Sequence, residues 1–198
     1  MTQDHFQLNS SPNLELPMSV ESPGFSAVDA ADKDKGLVAL SSEKLGGRQR
    51  RIVAMIQIPQ RLEAVWQILT DYEALASFIP NLTKSERIHH PEGGIRLEQI
   101  GAQCFLNIQF CARVVLDMYE RFPHELGFAM VEGDFKLFEG CWRLAPVGEG
   151  ENLNTQLSYE LIVKPPLAMP VGLIEQHIRA NLTENLMAIH QRAMEFAV

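Results

Sequence analysis

Three polar residues near the C-terminus, His177, Asn181 and Asn185, recur at steps of four residues. Residues four apart lie on the same side of an α-helix, so these side chains share one side of the helix that the segment predicts. Two interpretations follow. The three side chains line a cavity and hydrogen-bond a carbonyl or hydroxyl group of a ligand, or they lie at the edge of the apolar stripe of the helix and face solvent.

Acid–base chemistry has a few candidate residues, namely Tyr159, Glu160 and His177, which would have to converge within hydrogen-bond reach inside a cavity. Arg113 and Glu98 are further polar candidates, and a buried arginine and carboxylate would need to pair. The sequence contains no GxSxG, HExxH, GxxxxGK or GxGxxG motif. It therefore favours a protein without catalytic activity, and we assign no catalytic residue.

Metal-binding residues are also sparse. His89, His90 and Glu92 form the one tight group of potential ligands in the sequence. Adjacent residues of a strand point to opposite faces, so the two imidazoles are not expected to share a metal ion. We expect neither a metal nor a cofactor.

Charge and composition exclude several classes of protein. The 198 residues include 17 Lys and Arg against 25 Asp and Glu, a formal net charge of −8, which argues against a nucleic-acid partner. Cys104, Cys111 and Cys141 are too few and too widely spaced for a disulfide scaffold, which favours a reducing compartment. No segment approaches the roughly 18 apolar residues of a membrane span, and residues 1–10 lack the features of a signal peptide. We expect a soluble, cytoplasmic protein.

The chain divides into a tail and one domain. Residues 1–47 are rich in Pro, Gly, Ser, Asn and Asp, and their apolar residues follow no sustained period. This composition predicts a disordered or loosely attached acidic tail over residues 1–47 and a folded domain over residues 48–198.

The domain shows the patterns of an α+β fold. Period-two alternation predicts about six or seven antiparallel strands, two short helices follow the first strand, and a long amphipathic helix closes the chain over residues 171–196. Each strand alternates apolar with polar residues, so one face of the sheet is expected to be buried by that helix. The predicted strands are Arg51–Ile58, Lys84–His90, Ile95–Gly101, Leu106–Met118, Leu126–Glu132, Phe138–Leu144 and Leu157–Val163, and the short helices are 61–69 and 72–78.

A proline-rich apolar segment, Leu161–Ile174, precedes the last helix. Its prolines keep it out of regular structure. It either forms a lip through which an apolar ligand enters, with transient membrane contact, or packs over the end of the sheet.

A series of short motifs runs in order through the predicted domain: Ile58-Pro59, Val65-Trp66, Leu69-Thr70-Asp71-Tyr72, Phe78-Ile79-Pro80, Gly140-Cys141-Trp142, Thr155, Tyr159, Asn181-Leu182 and Asn185-Leu186. In these residues the chain resembles the START-like (SRPBCC, helix-grip) superfamily, in its polyketide cyclase/dehydrase and lipid-transport branch, which includes coenzyme Q-binding START-domain proteins. The resemblance covers about residues 50–196.

This resemblance implies a curved sheet wrapped around the long helix, with a cavity between them for a quinone, lipid, sterol or polyketide. Gly140 is expected where a strand backbone closely approaches the helix. The candidate cavity residues are Trp66, Phe78, Phe110, Arg113, Met130, Trp142, Tyr159, His177, Asn181 and Asn185.

Three hypotheses for function follow. The first is a carrier or chaperone of a hydrophobic small molecule such as an isoprenoid quinone or lipid. The second is a cyclase/dehydrase-type enzyme acting on a polyketide-like substrate. The third is a protein-interaction module similar to ribosome-associated relatives of the same branch.

Overall fold

The computed structural model describes residues 37–105, 108–148 and 153–195, with the backbone alone at 103–105 and 108–110. Eight strands form one curved antiparallel sheet in the order β1-β2-β8-β7-β6-β5-β4-β3, and three helices complete the described fold. The strands are β1 (Val38–Gly46), β2 (Gln49–Ile58), β3 (Leu82–Ile88), β4 (Ile95–Phe105), β5 (Ile108–Arg121), β6 (Glu125–Gly133), β7 (Leu137–Val147) and β8 (Asn154–Lys164), and the helices are α1 (Leu62–Thr70), α2 (Leu75–Phe78) and α3 (Val171–Glu195).

The predicted α+β fold is confirmed, with one more strand than expected. The extra strand is β1, which lies inside the segment assigned to the tail and pairs with β2 from Val38 opposite Ile56 to Gly46 opposite Gln49. The alternation of β1 is weak because the last four residues of the strand are exposed, so its sequence pattern hardly indicates a strand. The folded part therefore begins by Val38 rather than at residue 48, and residues 1–36 of the predicted tail lie outside the described residues.

The long helix α3 covers the inner face of the sheet. Its buried positions are those of the predicted apolar stripe: Ile174, Ile178, Leu182, Leu186, Ile189 and Ala193. The inner residues of β2 and β8 meet this stripe, and Ile52, Ile58, Leu157 and Leu161 are almost fully buried. Burial of these side chains is the main stabilising contribution to the fold. No helix of the described chain is long and apolar enough to cross a membrane.

The outer face of the sheet carries ion pairs. Glu160 on β8 accepts hydrogen bonds from Arg51 Nε at 2.6 Å and from Arg143 Nη1 at 2.8 Å. Partial burial of Glu160 opposes its charged form, but the two arginines outweigh this and lower its pKa. Arg113 on β5 pairs in the same way with Glu98 and Glu132, both at 2.6 Å. These charges neutralise one another on the solvent side.

Gly140 is a point of close approach, though not to the helix. A Cβ atom there would lie 2.0 Å from the backbone oxygen of Glu160 on β8 and 2.9 Å from the ring of Phe128 on β6. The expectation of a strand-to-helix contact was therefore wrong. The glycine is needed because neighbouring strands of the curved sheet leave no room for a side chain.

The proline-rich segment is fastened to the β1–β2 hairpin. The Arg48 guanidinium donates hydrogen bonds to the backbone oxygens of Pro166, at 2.8 Å, and Met169. Pro165 is buried, whereas Leu167 is 85% exposed and Leu173 in the first turn of α3 is 54% exposed. The segment thus packs against the end of the sheet and still presents apolar side chains to solvent.

Candidate functional site

A cavity lies between the sheet and α3. It has two adjoining lobes of about 200 and 170 Å³. Both are bordered by the same eight residues: Asn81, Leu82, Gln99, Gly101, Phe138, Tyr159, Asn181 and Asn185. Together the lobes reach the lower part of the roughly 300–1,000 Å³ range of small-molecule pockets. Pro80, which is exposed, borders the first lobe and marks where this lobe reaches the surface.

The floor of the cavity is aromatic and aliphatic. Tyr159 stands between Trp142 and Phe128, with ring centroids at 4.1 and 5.7 Å. These side chains come from β8, β7 and β6, where inward positions alternate with the outward charges. Packing of this kind fixes the shape of the floor and offers flat surfaces to an apolar ligand.

The helix side of the cavity carries the polar stripe. His177 borders the second lobe, and Asn181 and Asn185 border both lobes. The side-chain oxygens of both asparagines are buried and have no hydrogen-bond partner within the described chain. Buried polar atoms are nearly always hydrogen-bonded, so these two oxygens are an unusual feature at the centre of the site.

The cavity lining is uncharged. Among the described residues that border the lobes there is no Asp, Glu, Lys or Arg. Burial lowers the pKa of His177, partly opposed by the nearby Glu184, so the imidazole is neutral at pH 7. Burial raises the pKa of Tyr159, so its phenol is also neutral. The lining therefore suits an uncharged group and would leave a ligand carboxylate or ammonium without a partner.

Half of the candidate cavity residues lie at the lobes. The residues that the structure brings together there are Trp142, Tyr159, His177, Asn181 and Asn185. The side chain of Phe110 lies outside the described residues.

The other four candidates lie elsewhere, which corrects the expectation. Trp66 of α1 is buried and packs edge to face against Phe122 at 5.5 Å. Phe78 packs at the edge of the core beneath the Arg192 guanidinium, and Met130 is partly buried against the core. Arg113 is on the outer face because it occupies an outward position of β5. The same alternation turns Glu98 and Glu160 away from the cavity.

Two carboxamide residues of the cavity lining were not anticipated from the sequence. Gln99 occupies an inward position of β4, in step with Leu97, and its Nε2 donates to the hydroxyl of the buried Ser85 at 3.1 Å. The sequence signal for Gln99 was a polar side chain at a position that otherwise belongs to the apolar, inward-facing series of the strand. Asn81 follows Pro80 and has a φ of 63°, a conformation that asparagine tolerates and that only the structure reveals.

Metal ligands do not cluster within the described residues. No group of three His, Cys, Asp or Glu side chains there is arranged to hold a metal ion. Cys141 is a free thiol on β7, and burial raises its pKa to about 11. This thiol is protonated at neutral pH and unsuited to nucleophilic chemistry.

The family assignment follows from a comparison with family models. Residues 58–187 match the family described as polyketide cyclase/dehydrase and lipid transport. The chain belongs to this family. The match runs from the end of β2 into α3, so it includes both walls of the cavity. No curated protein matches the sequence.

Solved structures share this family's fold at low identity. One is a START superfamily protein from Mycobacterium smegmatis, with a TM-score of 0.62, 16% identity and coverage of 74% of this chain and 98% of the other. Another is the Zhui aromatase/cyclase of a Streptomyces species, with a TM-score of 0.62, 15% identity and coverage of 76% and 96%. A third is a STAR-related lipid transfer protein from Xanthomonas axonopodis, with a TM-score of 0.62, 13% identity and coverage of 83% and 97%. At these identities the similarity establishes the START-like fold alone.

Proposed function

We propose that the protein is a non-catalytic carrier or chaperone for an uncharged hydrophobic small molecule, an isoprenoid quinone or a related lipid. The apolar part of the ligand would lose its contact with water between the aromatic floor and α3. Asn181 and Asn185 would hold its polar head. The family and the fold support a hydrophobic ligand; the quinone or lipid and the carrier role are our proposal.

The observation that carries the proposal is an apolar, uncharged cavity with two unpartnered carboxamide oxygens on one helix face. An orphaned buried acceptor costs free energy, which a ligand head group would offset. Side chains that only fill a core rarely leave buried polar atoms unpaired. In a binding site, such atoms are available to pair with the ligand.

A second element of the proposal is membrane contact through the proline-rich segment. Leu167 and Leu173 are exposed apolar side chains of the segment and of the first turn of α3. Exposed apolar side chains of this kind suit shallow insertion among lipid head groups. The proposed location is the cytoplasm, where free thiols such as Cys111 and Cys141 stay reduced.

The direct test begins with the full chain purified gently from its own host and extracted with organic solvent. Mass spectrometry of the extract should give a quinone or lipid at about one molecule per chain. A titration with decylubiquinol and decylubiquinone, followed by the intrinsic fluorescence of Trp66 and Trp142, should saturate at one equivalent. An empty extract together with no saturable binding of either probe would reject the carrier.

A cyclase/dehydrase-type enzyme is the second candidate, since one observation favours it. His177, neutral at pH 7, borders the second lobe together with Tyr159, and such a pair could act as base and acid on a bound polyketide-like substrate. Ring formation from a poly-β-ketone thioester, followed by ultraviolet absorbance, tests this. A rate equal to that of buffer, or one unchanged by His177→Gln, would reject it.

A further inference from the structure

We propose that the cavity takes a ligand whose polar group lies near its middle, with an apolar arm on either side, in preference to an isomer that carries the same group near one end. This inference rests on the proposed function and specifies where along the ligand the polar group lies. A quinone fits the description where a ring oxygen lies next to the carbon that bears the tail.

Most polar side chains of the cavity lie where its two lobes meet. All four carboxamides of the lining border both lobes, and so does Tyr159. These residues form a polar belt at the junction of the lobes: Asn81, Gln99, Tyr159, Asn181 and Asn185.

The helix wall of the cavity places the belt between the lobes. On α3, Ile178 borders the second lobe alone, and Ile189, about three turns further on, borders the first lobe alone. Asn181 and Asn185 lie between them in the sequence and border both lobes.

The sheet wall shows the same order. Leu97 of β4 and its partner Leu116 of β5 border the first lobe alone. Two residues further along β4, Gln99 borders both lobes, and its partner Val114 borders the second lobe alone. Two walls that are distant in sequence thus carry polar side chains at the same junction.

The side chains that border a single lobe are nearly all apolar. Among the described residues outside the belt, the first lobe meets a side-chain nitrogen or oxygen only at Trp142 and at Tyr72, whose hydroxyl donates to Glu120 at 2.5 Å. The second lobe meets one only at His177, about one helical turn before Asn181. The belt therefore separates two largely apolar surfaces.

The lobes are also similar in size, about 200 and 170 Å³. A water molecule, or a group of similar size such as a methylene, takes up roughly 30 Å³ in a liquid, so each lobe has room for about six such groups. A ligand that fills both lobes then has its middle at the belt.

A ligand with a hydroxyl near one end cannot use the whole cavity. If this hydroxyl lies at the belt, the chain fills one lobe and leaves the other without apolar contacts. If it stays in water at the mouth, the buried amides of Asn181 and Asn185 each keep an unpaired atom. A central hydroxyl avoids both losses. It can donate and accept, so it pairs with an amide that is turned either way.

The experiment uses two isomers, undecan-6-ol and undecan-2-ol, which differ only in the position of a secondary hydroxyl. Isothermal titration of the full chain should give about tenfold tighter binding of undecan-6-ol, which corresponds to one net buried hydrogen bond. Because both isomers can donate and accept, the comparison measures where the hydroxyl lies and not the direction of its hydrogen bond.

Two variants test the two parts of the arrangement. The double variant Asn181→Leu, Asn185→Leu removes the helix side of the belt, so the preference should fall to about one or below. Ala112→Leu keeps the belt and fills part of the second lobe, so undecan-6-ol should lose more affinity than undecan-2-ol. The matched control is Gln191→Leu, which removes an exposed carboxamide from the same helix and should keep the wild-type preference.

If the double variant fails to fold, as judged by its circular dichroism melt, each single leucine variant should still reduce the preference. Equal or tighter binding of undecan-2-ol to the wild type would overturn this inference and leave the carrier standing. Failure of both alcohols to bind to a protein that binds decylubiquinol would do the same. Failure of the alcohols, decylubiquinol and decylubiquinone alike would overturn the proposed function and with it the inference.

Discussion

The side chain of Asn81 donates a hydrogen bond from Nδ2 to Glu184 Oε2 at 3.0 Å. Asn81 belongs to the link between α2 and β3, and Glu184 is an exposed residue of α3. Asn81 borders both lobes, and its neighbour Pro80 lies where the first lobe reaches the surface. This hydrogen bond therefore ties together the two sides of the cavity mouth.

Removing this hydrogen bond should speed ligand exchange and should have little effect on the free energy of unfolding. We expect Glu184→Ala to raise both the association and the dissociation rate of decylubiquinol several-fold, because the link can move away from α3 more easily. The free energy of unfolding should change by less than about 1 kcal/mol, since the pair is exposed. Stopped-flow measurement of the intrinsic tryptophan fluorescence gives the rates. Glu195→Ala, which breaks the exposed pair of Glu195 with Arg192 on the same helix, is the control and should leave both rates unchanged.

His177 should make stability depend on pH. Its pKa is lowered in the folded state from an ordinary value of 6.5, chiefly by burial. The stability that this residue contributes is then fully present above about pH 6.5 and is lost as the pH falls towards the folded-state pKa, because the unfolded chain takes up the proton more readily. Urea unfolding between pH 8 and pH 5 should show a smaller loss for His177→Gln than for the wild type. Parallel curves for the two proteins would show that the imidazole is not responsible.

Gly140→Ala should destabilise the sheet. The added Cβ would lie 2.0 Å from the backbone oxygen of Glu160, and a backbone atom cannot swing aside as a side chain can. We expect a loss of about 3 kcal/mol or more in the free energy of unfolding. Gly172→Ala is the matched control, since a Cβ there meets nothing within 4 Å, and it should be neutral or slightly stabilising. Equal unfolding midpoints in urea for the two variants would contradict the close packing of β7 against β8.

Membrane contact should depend on Leu167. Leu167→Asp places a charge where an 85% exposed apolar side chain is proposed to enter the lipid interface. It should reduce co-sedimentation with vesicles of phosphatidylcholine and phosphatidylglycerol several-fold. Val131→Asp, at a half-exposed position of β6, is the control. If the two variants sediment alike, the proline-rich segment does not contact the membrane.

The sequence determined the fold more completely than the site. Period-two alternation in β5, β7 and β8 and the apolar stripe on α3 follow directly from burial of one face. These elements and the family could therefore be predicted from the sequence. Alternation also distinguishes inward from outward positions, and it could have excluded Arg113, which is out of step with the inward-facing Val114 and Leu116 of the same strand. Periodicity carries no information on which inward residues surround empty space and which fill it. Trp66 and Trp142 are both largely inward-facing aromatic residues, yet only Trp142 borders the cavity, because the distinction depends on packing between distant elements.

The orphaned oxygens predict a conflict between stability and binding at Asn185. Replacing Asn185 by leucine removes a buried acceptor that has no partner, so the ligand-free variant should be more stable than the wild type by about 1–2 kcal/mol. Part of any gain, up to about 0.7 kcal/mol, comes from the higher helix propensity of leucine over asparagine. Gln191→Leu hardly changes the propensity and measures the effect of an added leucine at an exposed position of α3. Urea unfolding of the ligand-free proteins should place Asn185→Leu above Gln191→Leu by more than this difference in propensity, while the affinity for decylubiquinol falls in the former and not in the latter. A gain no larger than this difference in helix propensity would mean that the Asn185 oxygen costs nothing in the empty protein, and the reason for expecting a ligand head group at this position would disappear.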